Sequence, residues 1–554
     1  MPTRSDALAS ARSRVGRALR AVGLRRDDTA ETPPPATLSD PAAGALGLDW
    51  FVNPIAEGAD PFVVRSGETY LWCQSEGDRG VAVSRSTRLT SRGERRVVWR
   101  APETGPHSRE VWAPELHHLD DRWHIYLAAS DGHNREHRAY VLVADSDDPQ
   151  GCYTLHGPLA TGDADGPAQW AIDMTVLELG GQRYAVWSGW PDEQTPVQHL
   201  YIAPLATPTA LGGPRVQLTS PFDYPWERIA DDSDEAINEA PQVLMRDGRT
   251  FLLFSCGSAL LPSYKLALLE LIGEDPLDPA CWHKHPEPVF TSTESTFGVG
   301  HGSAVTTPDG SQWWLAFHAK INRRRNFKRV THVQPMDWTP DGLPTFGEPV
   351  AAGTPLALPG GTPIKPRRDG QSWDLRRDLR GEFDYFGHQQ YVEWAGDGLH
   401  LGRPPAHPVN VFRSAEKVVL RDGDFTDLRV STDLRMVEGR QAAGVLLRTS
   451  APAVGVDAHR GYFVGWVARG RLVLGRSDGS TWTVLDSRAV SIDGAKSLTV
   501  IAEARGDQIT AYLAGAPDQR LQASDATYTR GSVGLRVVGT THAVFSSLKV
   551  ERLG

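Results

Sequence analysis

Between Asp60 and His301 the chain writes one hydropathy pattern five times. Each copy has a head residue, a short apolar run, a turn containing Gly or Asp, and an alternating run rich in aromatic side chains. The copies are "DPFVVRSGETYLW" from Asp60, "WAPELHHLDDRWHIYLA" from Trp112, "DMTVLELGGQRYAVWSG" from Asp173, "EAPQVLMRDGRTFLLFSC" from Glu239 and "HGSAVTTPDGSQWWLAFHA" from His301. Period-two alternation flanking a Gly- or Asp-bearing turn predicts a β-hairpin. In every copy the first aromatic of the second strand follows the head by about ten to twelve residues. Further strand-like runs come after each hairpin, among them "GVAVSRS", "AYVLVADS", "LYIAPLA", "KLALLEL" and "RVTHVQPMDW". Heads roughly fifty to sixty-five residues apart leave room for four strands per unit. An all-β, five-bladed β-propeller is therefore expected, with the first strand of each blade lining the axis. The heads Asp60, Trp112, Asp173, Glu239 and His301 should then converge.

After "AAGTPLALPGGTPIKPRRDGQSW" the repeat stops, and from about residue 382 short alternating segments follow, such as "DLRVSTDLRM", "GYFVGWVA" and "SLTVIAEA". Regular short strands with turns between them predict a β-sandwich or jelly roll. The expected organisation is a disordered tail and linker over 1–47, the propeller over 48–351, a linker over 352–381 and the sandwich over 382–554. The length of 554 residues agrees with more than one core.

Composition narrows the function. A net charge of −10 supplies no surplus to neutralise phosphates, so no nucleic-acid partner is expected. The run Arg323–Arg325 with Lys328 and Arg329 reads as a solvated loop. No apolar run reaches membrane-spanning length, so no membrane partner is expected. Four cysteines without C-x-x-C spacing give no zinc or redox motif. The first 28 residues spread arginines throughout and lack the apolar core of a signal peptide, which predicts a cytoplasmic location. Nothing in the sequence sets an oligomeric state.

Three carboxylates gathered in one cavity repel one another, and such clusters are typical of functional sites, although a structural cation or arginine caps would also hold them. Glycosidic hydrolysis needs one carboxylic acid to protonate the leaving oxygen and a second carboxylate, which in an inverting enzyme activates water. A third raises the pKa of the acid by repulsion. The indole of Trp112 offers a face for a sugar ring. Together these point to a carbohydrate substrate without saying which carboxylate does what.

The motifs "GADPFV", "VWAPELHHLDDRWHIYLAAS", "AIDMTVLELGGQRYAVWSG", "INEAPQVL" and "GHGSAV" occur in the order in which they resemble glycoside hydrolase family 43, five-bladed inverting glycosidases. The resemblance implies Asp60 as general base, Asp173 as the residue that orients and tunes the acid, and Glu239 as general acid. The wording around Trp112 and "PLDPACWHKHPEPVF" is most similar to the α-L-arabinofuranosidases, which implies exo-acting release of terminal α-L-arabinofuranosyl residues from arabinan, arabinoxylan or derived oligosaccharides. It places Trp112 near the terminal sugar and His301 at the axis, in contact with substrate, water or a calcium ion; no cofactor is required. Ala240 stands where the family more often has Gly, and "GVGHGSA" where it often has Gly-Pro-Gly-His-Asn-Ser. Both departures alter pocket shape, so β-xylosidase activity stays open. A fructan hydrolase-like propeller would carry an Asn-Asp-Pro-Asn-like motif, which "GADPFV" lacks, and a non-catalytic glycan-binding propeller would have lost a carboxylate. The C-terminal segments "AGVLLRTS" and "HRGYFVGWVARGRLVLGR" resemble concanavalin-like sandwiches, which implies bracing or glycan binding and no catalytic residue.

Overall fold

A computed structural model of the protein describes residues 45–163, 166–228, 236–404, 415–490 and 497–554. The five hairpins open five separate antiparallel sheets. The first sheet runs Phe62–Ser66, Thr69–Ser75, Gly80–Ser86, Glu94–Arg100, and the second Arg109–Leu119, Arg122–Ser130, Arg138–Ala144, Tyr153–His156. The third uses Ala171–Leu179, Gln182–Gly189, His199–Thr207 and Val216–Thr219; the fourth Asn238–Arg246, Arg249–Cys256, Lys265–Leu271 and Trp282–Lys284. Gly300–Thr306, Trp313–Lys320 and Arg329–Trp338 form the fifth. This is the five-bladed propeller that the repeat predicts.

Both faces of each middle strand are covered by neighbouring blades, so these strands read as nearly continuous apolar runs. Leu252, Leu253 and Phe254 are all fully buried, with Phe254 packed in a cluster that also holds Val186 and Leu200 of the third blade. Leu253 instead joins Leu315 and Phe317 of the fifth. Alternate side chains of one strand thus bind two neighbouring blades.

Contacts group the described chain into two units. One is Gly58–Ala351 with Pro359–Thr362; the other comprises the described residues up to Glu57, Ala352–Leu358 and Pro363–Gly554. Residues 48–57, read from sequence as the start of the propeller, fall in the second unit. There Trp50–Val52 pairs with Pro355–Ala357, and Val52 packs against Ala451 and Ala453. The tail expected over 1–47 lies almost wholly outside the described residues.

The second unit holds an eight-stranded and a seven-stranded antiparallel sheet. Along Leu428–Glu438 the residues Leu428, Val430, Thr432 and Leu434 are buried while Arg429, Ser431 and Asp433 are only partly so. The buried set meets Val445, Tyr462 and Val464 of the other sheet in one apolar core, which is the arrangement of a sandwich. The stretch read as a linker contributes a strand to it: Gln371–Asp374 pairs with His542–Arg552 and sinks Trp373 into the core.

Candidate active site

The inner strands share a local distortion that aims side chains inward. Strand pairing slips between Arg109 and Trp112, Trp112 and Glu115, Ile172 and Thr175, Glu239 and Gln242, and Gly300 and Ser303. Left-handed backbone occurs at the same level in all five blades: Asp60 (φ 50°), Ala113 (φ 44°), Asp173 (φ 55°), Ala240 (φ 54°) and His301 (φ 47°). A bulge leaves the extra residue unpaired and bends the strand, and side chains other than Gly rarely adopt this conformation without a compensating contact. The structural frame is therefore Asp60-Pro61-Phe62, Ala113-Pro114-Glu115, Asp173-Met174-Thr175, Ala240-Pro241-Gln242 and His301-Gly302-Ser303. Trp112 and Glu239 stand one residue ahead of it.

Asp60, Asp173, Glu239 and His301 come together close enough for their charges to act on one another. At Asp60 burial alone would raise the pKa. The Arg329 guanidinium, which donates from Nη1 to Oδ1 at 3.0 Å, outweighs it, with the His301 ring 3.3 Å from the same oxygen. The carboxyl is held far below the usual range and is ionised. The Asp60 amide donates to His318 Nδ1, and burial holds His318 neutral, with its pKa down at about 3.

Glu239 is displaced the other way. Burial pushes its pKa up to about 7, the Asp60 charge adds to this, and a hydrogen bond from the Tyr264 hydroxyl to Oε1 at 2.7 Å with the Arg329 charge works against it. Asp173 is raised well above the ordinary carboxylate value, first by burial and then by Glu239, Asp60 and Glu115. Its Oδ2 accepts from the Ala240 amide at 3.0 Å, which ties the third blade to the bulge of the fourth.

Several of these groups escape a reading of the sequence. Arg329, counted there in a solvated basic run, instead contacts Asp60. Tyr264 lies just before the strand Lys265–Leu271, and its ring stacks on His318 with planes 7° apart. Glu115 is almost fully buried beneath the carboxylates, where the Gln242 amide, the Thr175 hydroxyl and the His117 ring at 3.2 Å bind it. A polar residue two positions after each bulge was the available signal. Trp112, half-buried, packs with Ile172, the residue before Asp173.

The calcium ion admitted by the resemblance requires 6–8 oxygen ligands. Among the described residues no group of three or more His, Cys, Asp or Glu side chains is placed to hold a metal, and the carboxylate nearest His301 is already paired with Arg329. No step below is routed through a calcium ion.

Residues 51–344 match the glycosyl hydrolases family 43. The chain is 35% identical over 337 residues to an α-L-arabinofuranosidase of Humicola insolens, covering 57% of this chain and 67% of that protein. It is 29% identical over 385 residues to an extracellular exo-α-(1→5)-L-arabinofuranosidase of Streptomyces avermitilis, covering 64% and 75%. Among solved structures, an α-L-arabinofuranosidase from Lactobacillus brevis is 31% identical with a TM-score of 0.50, over 55% of this chain and 98% of that one. Among the described residues no helix is long and apolar enough to cross a membrane. With the propeller, the three inward carboxylates and a match spanning nearly the whole first unit, this chain belongs to family 43 of the glycosyl hydrolases.

Proposed function

We propose that the protein is an exo-acting, inverting α-L-arabinofuranosidase in which Asp60 is the general base, Glu239 the general acid and Asp173 the residue that orients it. The observation that carries this is the opposite displacement of two neighbouring carboxyls, with Asp60 ionised and Glu239 keeping its proton up to about pH 7. Titratable pairs pushed apart in this way mark acid and base. The names of the relatives support the sugar and the exo mode.

The steps follow from those states. The Glu239 carboxyl gives its proton to the glycosidic oxygen as the bond from that oxygen to the anomeric carbon breaks. The Asp60 carboxylate takes a proton from a water molecule, whose oxygen bonds to the same carbon from the opposite face. Arg329 holds Asp60 ionised, and His318 fixes its backbone by accepting from its amide. Tyr264 orients Glu239. Asp173 accepts from the Ala240 amide and so holds the bulge that carries Glu239, which orients the acid. Trp112 lends its face to the terminal sugar, and His301 contacts it beside Asp60. In an inverting enzyme the two reacting carboxyls stand about 6.5–9.5 Å apart, which leaves space for the water.

The test is a panel of aryl α-L-arabinofuranoside, β-xyloside and β-fructofuranoside, with the first-formed anomer followed by NMR. Arabinofuranoside cleavage yielding the β anomer is expected. Retention of configuration, or cleavage confined to another sugar, would overturn the proposal. Assaying the same activity in culture fluid against cell lysate decides where the enzyme works.

A further inference from the structure

The indole of Trp112 is backed by a second ring. The imidazole of His137 stacks on it with centroids 3.8 Å apart and planes inclined by 27°. His137 is fully buried, directly after the short turn Asn134–Glu136 that joins the second and third strands of its blade. Its Nδ1 lies 2.9 Å from the Asn134 carbonyl oxygen and its Nε2 3.2 Å from that of Glu110. Burial holds the ring neutral, so one nitrogen donates to one of these oxygens and fixes the ring in its plane. Trp170 meets it edge-on, with centroids 6.4 Å apart, and its Nε1–H donates to the same Asn134 oxygen at 2.8 Å. Trp190 stacks on Trp170 at 4.5 Å. The residue anchored from below, Glu110, has left-handed backbone (φ 49°) at the start of the bulge that delivers Trp112.

Burying an imidazole in an aromatic cluster is costlier than burying a phenyl ring unless its nitrogens find partners. A neutral imidazole has one N–H, and here whichever nitrogen carries it finds a main-chain oxygen, on Asn134 or on Glu110. The hydrogen bond offsets the cost of burying the ring, and the flat face it presents at 3.8 Å is what backs the indole of Trp112.

We propose that His137 is a positioning residue for sugar binding, holding the Trp112 face at the angle a terminal sugar ring requires; this rests on the reading of Trp112 as the sugar-stacking surface. An aromatic pair of this kind accounts for about 2–10-fold in affinity. His137→Ala should therefore raise KM for 4-nitrophenyl α-L-arabinofuranoside by about that factor with kcat within about twofold, because the acid and base are untouched. His137→Phe keeps the stack and loses the polar anchors, and should stay within about twofold of the parent KM. His137→Gln keeps a donor without a ring and should behave as His137→Ala.

The reverse order, with Gln at the parent KM and Phe impaired, would mean that the hydrogen bonds and not the stacked ring place the indole, and would overturn the proposal. Trp112→Ala separates the two layers of the argument. A raised KM in Trp112→Ala with an unchanged KM in His137→Ala removes only the role of His137. An unchanged KM in Trp112→Ala removes the stacking surface itself, and His137 with it.

Discussion

Replacing Glu239 by Gln keeps the volume of the side chain and its acceptor oxygen, so the Tyr264 hydroxyl retains its partner. What disappears is the proton. A sugar alkoxide leaves poorly without one, whereas dinitrophenolate needs none. General acid assistance is typically worth about 10²–10⁴-fold, or about 2.7–5.4 kcal/mol of barrier. The variant should lose that factor in kcat/KM on an arabino-oligosaccharide and far less on 2,4-dinitrophenyl α-L-arabinofuranoside. Stability carries an independent signature. With a folded pKa of about 7 against an ordinary 4.5, the ionised form costs at most about 3 kcal/mol more in the folded chain. A raised carboxyl pKa contributes stability that is present below pH 4.5 and lost as pH rises to about 7. Glu239→Gln should therefore melt close to the parent at pH 4 and above it at pH 8, by several degrees in a scanning assay. Equal kinetic losses on the two substrates, combined with no pH-dependent gain in melting temperature, would refute both the protonated state and the role of the acid.

Asp60→Asn removes the group that activates water, which every leaving group requires, so both substrates should suffer alike in the same kinetic comparison. Asp173→Ala removes the acceptor of the Ala240 amide and frees the bulge that carries Glu239, so kcat/KM on the arabino-oligosaccharide should fall more than on the dinitrophenyl substrate. Arg329→Met withdraws the cation that most strongly depresses Asp60, so the acid limb of the kcat/KM profile against pH should rise toward the ordinary carboxylate range. Truncation at Gly381 removes the partners of Val52 at Ala451 and Ala453 and the strand that pairs with Gln371–Asp374. The shortened protein should show a lower melting temperature and reduced solubility, measured by scanning fluorimetry and fractionation.

The sequence by itself determined the strands, the five-fold repeat and the three carboxylates of the candidate site. Period-two alternation and the turn residues act over a few positions, and they are written into each hairpin independently. A motif such as "INEAPQVL" likewise names its carboxylate locally. The tertiary structure alone decided the frame of the site. Trp112 and Glu239 align with Asp60 by spacing, yet the bulges set both one residue ahead of the left-handed position held by Ala113 and Ala240, because a bulge adds a residue without disturbing the hydropathy pattern. Arg329 and His318 act on Asp60 from 269 and 258 positions away, and no periodicity joins residues that separately closed blades bring together. The unit boundary was hidden for a related reason. Val52 is apolar wherever it packs, and only the strand pairing of residues 50–52 with 355–357 reveals that it belongs with the second core.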